Sequence, residues 1–417
     1  MISLESYWRF VQANRRFVGF GFAMAFLSSF GQTYFIAVFG PEIQQEFGLS
    51  HAGWGAIYMA GTLGSALVLP WTGKLIDDVP LPTYTGIVAL ALGLACLWMA
   101  LVPGAALLVV AVFGLRQTGQ GLSSHVASTS MARYFSADRG RAIAVAALGF
   151  SLGEAVLPFV GDQLIDRYGW RTTYAMAAGF QIVCGIPLAL WLLRGHAQRH
   201  ATYLARLADL ATGAHQAQWG WRREEVIRDA RFWWMLPGLT APSLVLTGMF
   251  FHHLNVADAK DWSHAWITGS YIVYAIAAVV TSLVSGYLVD RMGAIKLVPA
   301  MLIPMCVGLA LLALADSPWI AWPYLVLIGI STGVTYTALS AMWAELYGTA
   351  HLGAIKSLAV AISVLSSGLG PVSIGLLLDI GFSMNAALWC MVGYTLTGSA
   401  TLYVALRMRP ATRPGSD

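Results

Sequence analysis

Apolar runs of about 20 residues, broken by short polar stretches, recur along the whole chain, and each is long enough to cross a hydrocarbon core of roughly 30 Å as a helix. The pattern predicts twelve spanning helices, centred near Leu27, Leu63, Leu92, Leu115, Ser151, Ile182, Ser243, Ala277, Leu309, Ile330, Leu365 and Tyr394. Six fall on each side of one polar stretch, from about Gly195 to Asp229, where His, Gln, Arg and Ala replace the apolar runs. Residues 1–194 are therefore expected to form one six-helix bundle, residues 195–229 a linker, and residues 230–417 a second bundle. Within the linker, TYLARLADL and RREEVIRDA have helical charge spacing and are predicted as amphipathic helices on the membrane surface. Met1 to Asn14 read as a short amphipathic lead-in with no cleavable signal pattern.

The two bundles repeat one another at a constant offset of 213 residues. Ser50, His51 and Ala52 fall on Ser263, His264 and Ala265, and Tyr58, Gly73, Leu75 and Asp77 fall on Tyr271, Gly286, Leu288 and Asp290. The register holds through Tyr134, Gly140, Pro158, Leu164 and Asp166, which meet Tyr347, Gly353, Pro371, Leu377 and Asp379. Apolar bias produces coincident Ala, Leu and Gly, but paired Asp, Pro, His and Tyr in one register mark a duplicated unit. Such halves suit a carrier that rocks one bundle against the other around a site at their interface.

Composition names the medium. Of 417 residues, 58% are hydrophobic and 11% charged, against roughly 25% charged in a soluble domain, so an all-α membrane protein is expected. With the N-terminus cytoplasmic, twenty of the 24 Lys and Arg lie on the inner side, from Arg9, Arg15 and Arg16 to the C-terminal arginines. Arg167, Arg171 and Lys260 lie outside, and Arg116 remains inside a helix. The positive-inside rule then puts both termini in the cytoplasm of a cell membrane, the inner membrane in a bacterium. The formal charge of +4 is met by anionic lipid headgroups and implies no nucleic acid. Cys96, Cys184, Cys306 and Cys390 each lie in a different predicted helix, with no disulfide or metal spacing. No cofactor and no catalytic grouping of nucleophile, base and metal is expected, and the chain is expected to act as a monomer.

The sequence GYLVDRMG, Gly286 to Gly293, resembles the short cytoplasmic loop signature of the major facilitator superfamily, with Gly286, Asp290, Arg291 and Gly293 in place. Its first-half partner, TGKLIDDVP, keeps Gly73 and Asp77 but has Asp78 for the arginine and Pro80 for the glycine. A small glycine at a helix end allows close backbone approach, and an aspartate there accepts from the first amides of a neighbouring helix. Ala132 to Tyr174 and Gly31 to Trp54 look like the fifth-helix and first-helix regions of bacterial carriers in the monocarboxylate-transporter-like branch. The resemblance implies twelve helices in two pseudo-symmetric six-helix bundles, and a gating latch of Gly73, Asp77, Gly286, Asp290 and Arg291. Where some relatives carry a substrate-handling lysine in the first helix, this chain has Tyr34 or another uncharged residue.

The charges left inside helices are the candidates for chemistry. Arg116 stands about eleven residues into the fourth helix, roughly 17 Å deep at about 1.5 Å per residue, and Glu154 lies at similar depth in the fifth. A lone charge there is costly, so both are expected to face the protein interior or a water-filled cavity. Arg116 suits a two-pronged bond to a carboxylate, with Gln120 four residues on and on the same face, while Glu154 holds it when empty or exchanges a proton. A permanent strut of Arg116 and Glu154 is the alternative. Gln32, Tyr34, Tyr271 and Tyr274 complete the candidate substrate site, while His252 and His253 read as an interfacial pair of ordinary histidines. The expected function is secondary transport of a small solute, an organic anion such as a monocarboxylate, with proton coupling left open. Efflux of amphipathic compounds is the alternative, and a membrane receptor or scaffold the reading from another class.

Overall fold

The computed structural model describes residues 4–135, 138–210, 220–348 and 351–408. Eleven helices among them are long and apolar enough to span a membrane: α1 (Arg15–Val38), α2 (His51–Asp78), α3 (Leu81–Leu101), α4 (Ala105–Tyr134), α5 (Arg139–Tyr168), α6 (Trp170–Leu192), α7 (Ala230–Ala259), α8 (His264–Met292), α9 (Ala294–Leu314), α10 (Pro318–Tyr347) and α11 (Leu352–Asp379). A twelfth, α12 (Met384–Arg407), is 24 residues long and less apolar, with threonines, a serine and glycines along its length. Every predicted centre falls inside one of these helices, and the molecule is an all-α, multi-pass membrane protein.

Two compact units divide the chain. Unit 1 comprises residues 1–47 and 60–215, and unit 2 comprises residues 48–59 and 216–417, so α2 gives its first turns to unit 2 and the rest to unit 1. Inside each unit the same partners pack: α1 with α5 and α3 with α6 in the first, α7 with α11 and α9 with α12 in the second. Glycines make these crossings possible. A Cβ on Gly149 of α5 would lie 2.2 Å from Phe22 O of α1, and one on Gly370 of α11 would lie 2.1 Å from Leu244 O of α7. Without a hydrophobic drive between helices in lipid, such close approach is the source of packing energy. Pro158 and Pro371, partners in the repeat, both stand inside their helices, α5 and α11.

Both expected linker helices are present, as His196–Leu210 and Arg223–Arg228, while residues 211–219, and Arg409 and Arg413 at the C-terminus, lie outside the described residues. The lead-in is likewise helical, Leu4–Ala13. Equivalent tyrosines hold the linker. In unit 1 Tyr134 Oη lies 2.9 Å from His200 Nδ1, and in unit 2 Tyr347 Oη donates to Asp229 at 3.0 Å. His196 is buried against the rings of Phe17 and Tyr134. That burial, with Arg199 and His200 adding, pulls its pKa from 6.5 to about 4. A depressed histidine pKa means the undocked helix takes up the proton first, so docking is fully stable above about pH 6.5 and weakens as pH falls towards about 4. A spin label on Thr202 is expected to gain mobility across that window; constant mobility would contradict the linkage.

Outside the spans, the helix Gly40–Phe47 is pinned to the start of α6 within unit 1. Arg171 donates to Glu46 at 2.6 and 3.1 Å and Trp170 at 2.7 Å. The Arg171 guanidinium, helped by the Trp170 indole, holds the Glu46 carboxyl below its ordinary range.

Candidate functional site

Two departures from regular α-helix meet in unit 1. α1 tightens to a 3₁₀ turn over Ser28–Gly31 and then opens at Gln32, whose backbone is extended at φ −85° and ψ 156°. α4 widens to a π-helical stretch over Arg116–Ser123, where the sequence pattern predicted an unbroken α-helix. Their contact is backbone on backbone: a Cβ on Gly119 would lie 2.6 Å from Gly31 Cα, and one on Gly31 would lie 2.0 Å from Leu115 O. Single π turns and broken helices release backbone groups from the helical ladder, and in membrane carriers they collect at binding sites.

Arg116 opens the π stretch and is 1% exposed. Its guanidinium donates to Gly31 O at 3.4 Å and to Thr33 Oγ1 at 3.3 Å, both on the broken part of α1. Gln32 donates to Ser124 Oγ at 3.5 Å across the same crossing, and Tyr34 Oη donates to Ser29 Oγ at 2.8 Å. Gln120 is half-buried in the π stretch. Glu154 follows Gly153, where a Cβ would lie 2.0 Å from Ser29 Oγ, so α5 presses on the same break. Glu154 is half-buried and, among the described residues, has no hydrogen-bond or ion-pair partner. A permanent strut of the expected kind therefore finds no support on the Glu154 side.

Gln117 is the residue the sequence reading missed. Its Oε1 accepts from Ser65 Oγ at 3.0 Å and its Nε2 donates to Thr72 Oγ1 at 2.7 Å, tying the π stretch to the unit 1 part of α2. Its place beside Arg116 was the available signal. The polar set belongs to one half only: positions 213 residues on from Gln32, Arg116, Gln120 and Glu154 hold Val245, Gly329, Gly333 and Ser367. In unit 2 those two glycines let α10 pack onto α8, with a Cβ on Gly329 reaching 2.6 Å from Tyr274 O and one on Gly333 reaching 2.5 Å from Ala278 O.

Tyr271 and Tyr274 belong to unit 2 and are buried there. Tyr274 packs on the Phe250 ring, while Tyr271 Oη lies 2.6 Å from His253 Nδ1. The expectation of an interfacial histidine pair is overturned: His252 and His253 are each 1% exposed and hydrogen-bonded through both ring nitrogens. They occupy the protein side of α7, and their partners lie on α8, α10 and α11 and within α7 itself.

The gating candidates divide unevenly. Asp77 is ion-paired with Arg133 inside unit 1, and Arg133 also donates to Ile76 O at 3.2 Å. The position equivalent to Arg133 is Leu346. Asp290 is accordingly exposed with no partner among the described residues, and Arg291 lies over the Tyr287 ring. The amides expected for such an aspartate, those of Ala294 and Ile295 at the start of α9, go instead to Glu345 at 2.7 and 3.1 Å. Gly293 ends the signature at φ +81°, a conformation open to glycine, whereas Pro80 at its first-half position has φ −53°. Close backbone approach is absent at Gly286, where a Cβ would meet nothing within 4 Å, and at Gly73, where it would meet the His125 ring at 3.7 Å. The four cysteines are free, and no group of three metal-ligating side chains occurs among the described residues.

A family model of the Major Facilitator Superfamily matches residues 21–371 and again 257–417. The class C tetracycline resistance protein of Escherichia coli is 29% identical over 160 residues, 38% of this chain and 38% of that protein. The gallate transporter of Pseudomonas putida is 27% identical over 180 residues, 42% of this chain and 40% of that protein. The matched stretch thus spans about two fifths of the length of either curated relative. A solved bacterial homologue of the human lysosomal transporter Spinster, inward-facing and unoccupied, superposes with a TM-score of 0.70 at 14% identity, over 94% of this chain and 97% of that one. Its occupied form gives a TM-score of 0.69 at 14% identity, over 95% and 96%. At such identity the likeness is one of fold. Twelve helices in a duplicated arrangement, with family matches that together run from residue 21 to the C-terminus, show that the chain belongs to the major facilitator superfamily, a family of carriers and not of enzymes.

Proposed function

We propose that the protein is a secondary transporter that moves a small organic anion, of the monocarboxylate kind, across the cytoplasmic membrane by alternating access. The observation that carries this reading is Arg116, a guanidinium buried inside a membrane span at the junction of the α1 break and the α4 π stretch. A planar donor fork there matches a carboxylate in two-pronged fashion, and Gln32, Tyr34 and Gln120 supply neutral hydrogen bonds beside it. Glu154 tunes the availability of Arg116 or exchanges a proton with the passing solute. Tyr271 and Tyr274 are the polar candidates of the second bundle in this reading. A relative that carries gallate, an organic anion, is consistent with this class.

In this reading the carrier is a monomer with both termini cytoplasmic, residues 1–194 and 230–417 are the rocking bundles, and proton coupling drives symport. Gly73, Asp77, Gly286, Asp290 and Arg291 form the cytoplasmic latch. Efflux of amphipathic compounds is the second reading, favoured by the likeness to a tetracycline resistance protein. Uptake by proteoliposomes, with and without a pH gradient, separates the two. Carboxylates are expected to enter with the gradient, and transport of amphipathic cations with no carboxylate uptake would reverse the assignment.

A further inference from the structure

The sequence singles out the adjacent histidines of α7, and the transport reading uses neither. Within unit 2, His252 meets Pro371 O of α11 through Nε2 at 2.9 Å and Asn255 Oδ1 through Nδ1 at 3.1 Å. The Asn255 amide reaches on to Nδ1 of His51, in the first turn of α2, at 3.4 Å. A carbonyl only accepts, so His252 Nε2 carries a hydrogen. With the amide oxygen turned to Nδ1, that nitrogen would also have to carry a hydrogen and the ring would be an imidazolium. His51 Nδ1, facing the NH₂, is then bare.

Turning the amide by half a rotation inverts every role. Nδ2 donates to a bare His252 Nδ1, making that ring neutral, and Oδ1 accepts from His51 Nδ1–H. The two orientations have nearly the same shape and differ in which histidine holds the proton. Charging both rings together is disfavoured, because two N–H groups would compete for one amide oxygen. The charged and titratable groups acting on His252 are His51 from α2, Asp379 from α11 and its neighbour His253 on α7; among the described residues α8, α10 and α12 bring none. Asp379 accepts from the backbone amides of His51 at 3.1 Å and Ala52 at 2.9 Å. His51 is half-buried and His252 is closed off from solvent.

We propose that His51, Asn255 and His252 form a one-proton site, in which the Asn255 amide assigns a single excess proton either to the accessible His51 or to the enclosed His252. Protons enter at His51. When the charge passes inward, a proton leaves His51 Nδ1 and one appears on His252 Nδ1 with no change in total. The site is independent of which solute is carried and of the role given to Arg116.

The test is solid-state NMR of the full-length protein, labelled with ¹⁵N-histidine in lipid bilayers and titrated between about pH 9 and 4, with His51→Gln and His252→Gln for assignment. In the basic limit His252 should be the Nε2–H tautomer and His51 the Nδ1–H tautomer. On acidification both rings should move with one shared midpoint, and the second proton should require at least about tenfold more acid. Asn255→Leu should narrow that separation. His51 as the Nε2–H tautomer beside a neutral His252 overturns the proposal. So does the absence of any protonation in the range, or a separation untouched by Asn255→Leu. If the leucine variant does not fold, the tautomers of the unsubstituted protein decide the matter, and none of these outcomes bears on anion transport.

Discussion

Replacing Arg116 by Gln is expected to abolish binding of the transported anion while leaving the protein folded. A charge-assisted bond of this kind contributes about 2–3 kcal/mol, which corresponds to roughly 30- to 150-fold in affinity. Arg116→Lys keeps the charge but loses the planar donor fork that would engage a carboxylate in two-pronged fashion, so transport should also fall sharply. The measurement is equilibrium binding of a carboxylate found in the uptake screen, alongside a thermal unfolding midpoint. Unchanged affinity in a folded Arg116→Gln protein would remove Arg116 from the site. Restoration of transport by Gln at both 116 and 154 would point instead to a structural pair.

Gly31→Ala and Gly119→Ala are expected to be the most damaging single-methyl additions near the site. The added carbon would stand 2.0 Å from Leu115 O in the first case and 2.6 Å from Gly31 Cα in the second. Both obstacles are backbone, which cannot swing aside as a flexible side chain can. Overpacking of this kind costs about 1–3 kcal/mol or more, and it would push α1 away from the π stretch that presents Arg116. Gly286→Ala provides the contrast, since nothing lies within 4 Å of its Cβ. Alanine there should be neutral or stabilising by about 0.5–1 kcal/mol, because glycine weakens a helix interior. Unfolding midpoints in detergent for the three variants check the ordering. Equal midpoints would show that the Gly31 and Gly119 crossing is not tight in the membrane.

The unequal loop signatures show how local sequence can mislead. GYLVDRMG has the better match to the family pattern, yet Asp290 is exposed and Glu345 binds the amides of α9. TGKLIDDVP departs from the pattern, yet its Asp77 holds the ion pair, because Arg133 lies within reach on α4 where the second half has Leu346. The partner residue is more than fifty positions away. No reading of the nine-residue stretch contains it.

Apolar run length, charge asymmetry and the 213-residue register by themselves determined the medium, the helix count and the duplication. These depend on local composition and on periodicity along one chain direction, and lipid forces each apolar run into a helix because its backbone has no other partners there. The same logic located Arg116 and Glu154, since a charge in an apolar run stands out without knowledge of any contact. Only the tertiary structure decided the 3₁₀ and π turns, which answer to a crossing between Gly31 and Gly119, far apart in sequence. It alone decided the hydrogen bonding of the α7 histidines, whose partners are residues 255, 271, 324 and 371. Two neighbouring histidines look alike on paper because helical spacing fixes where side chains leave the helix, while the atoms they meet are set by how four helices pack.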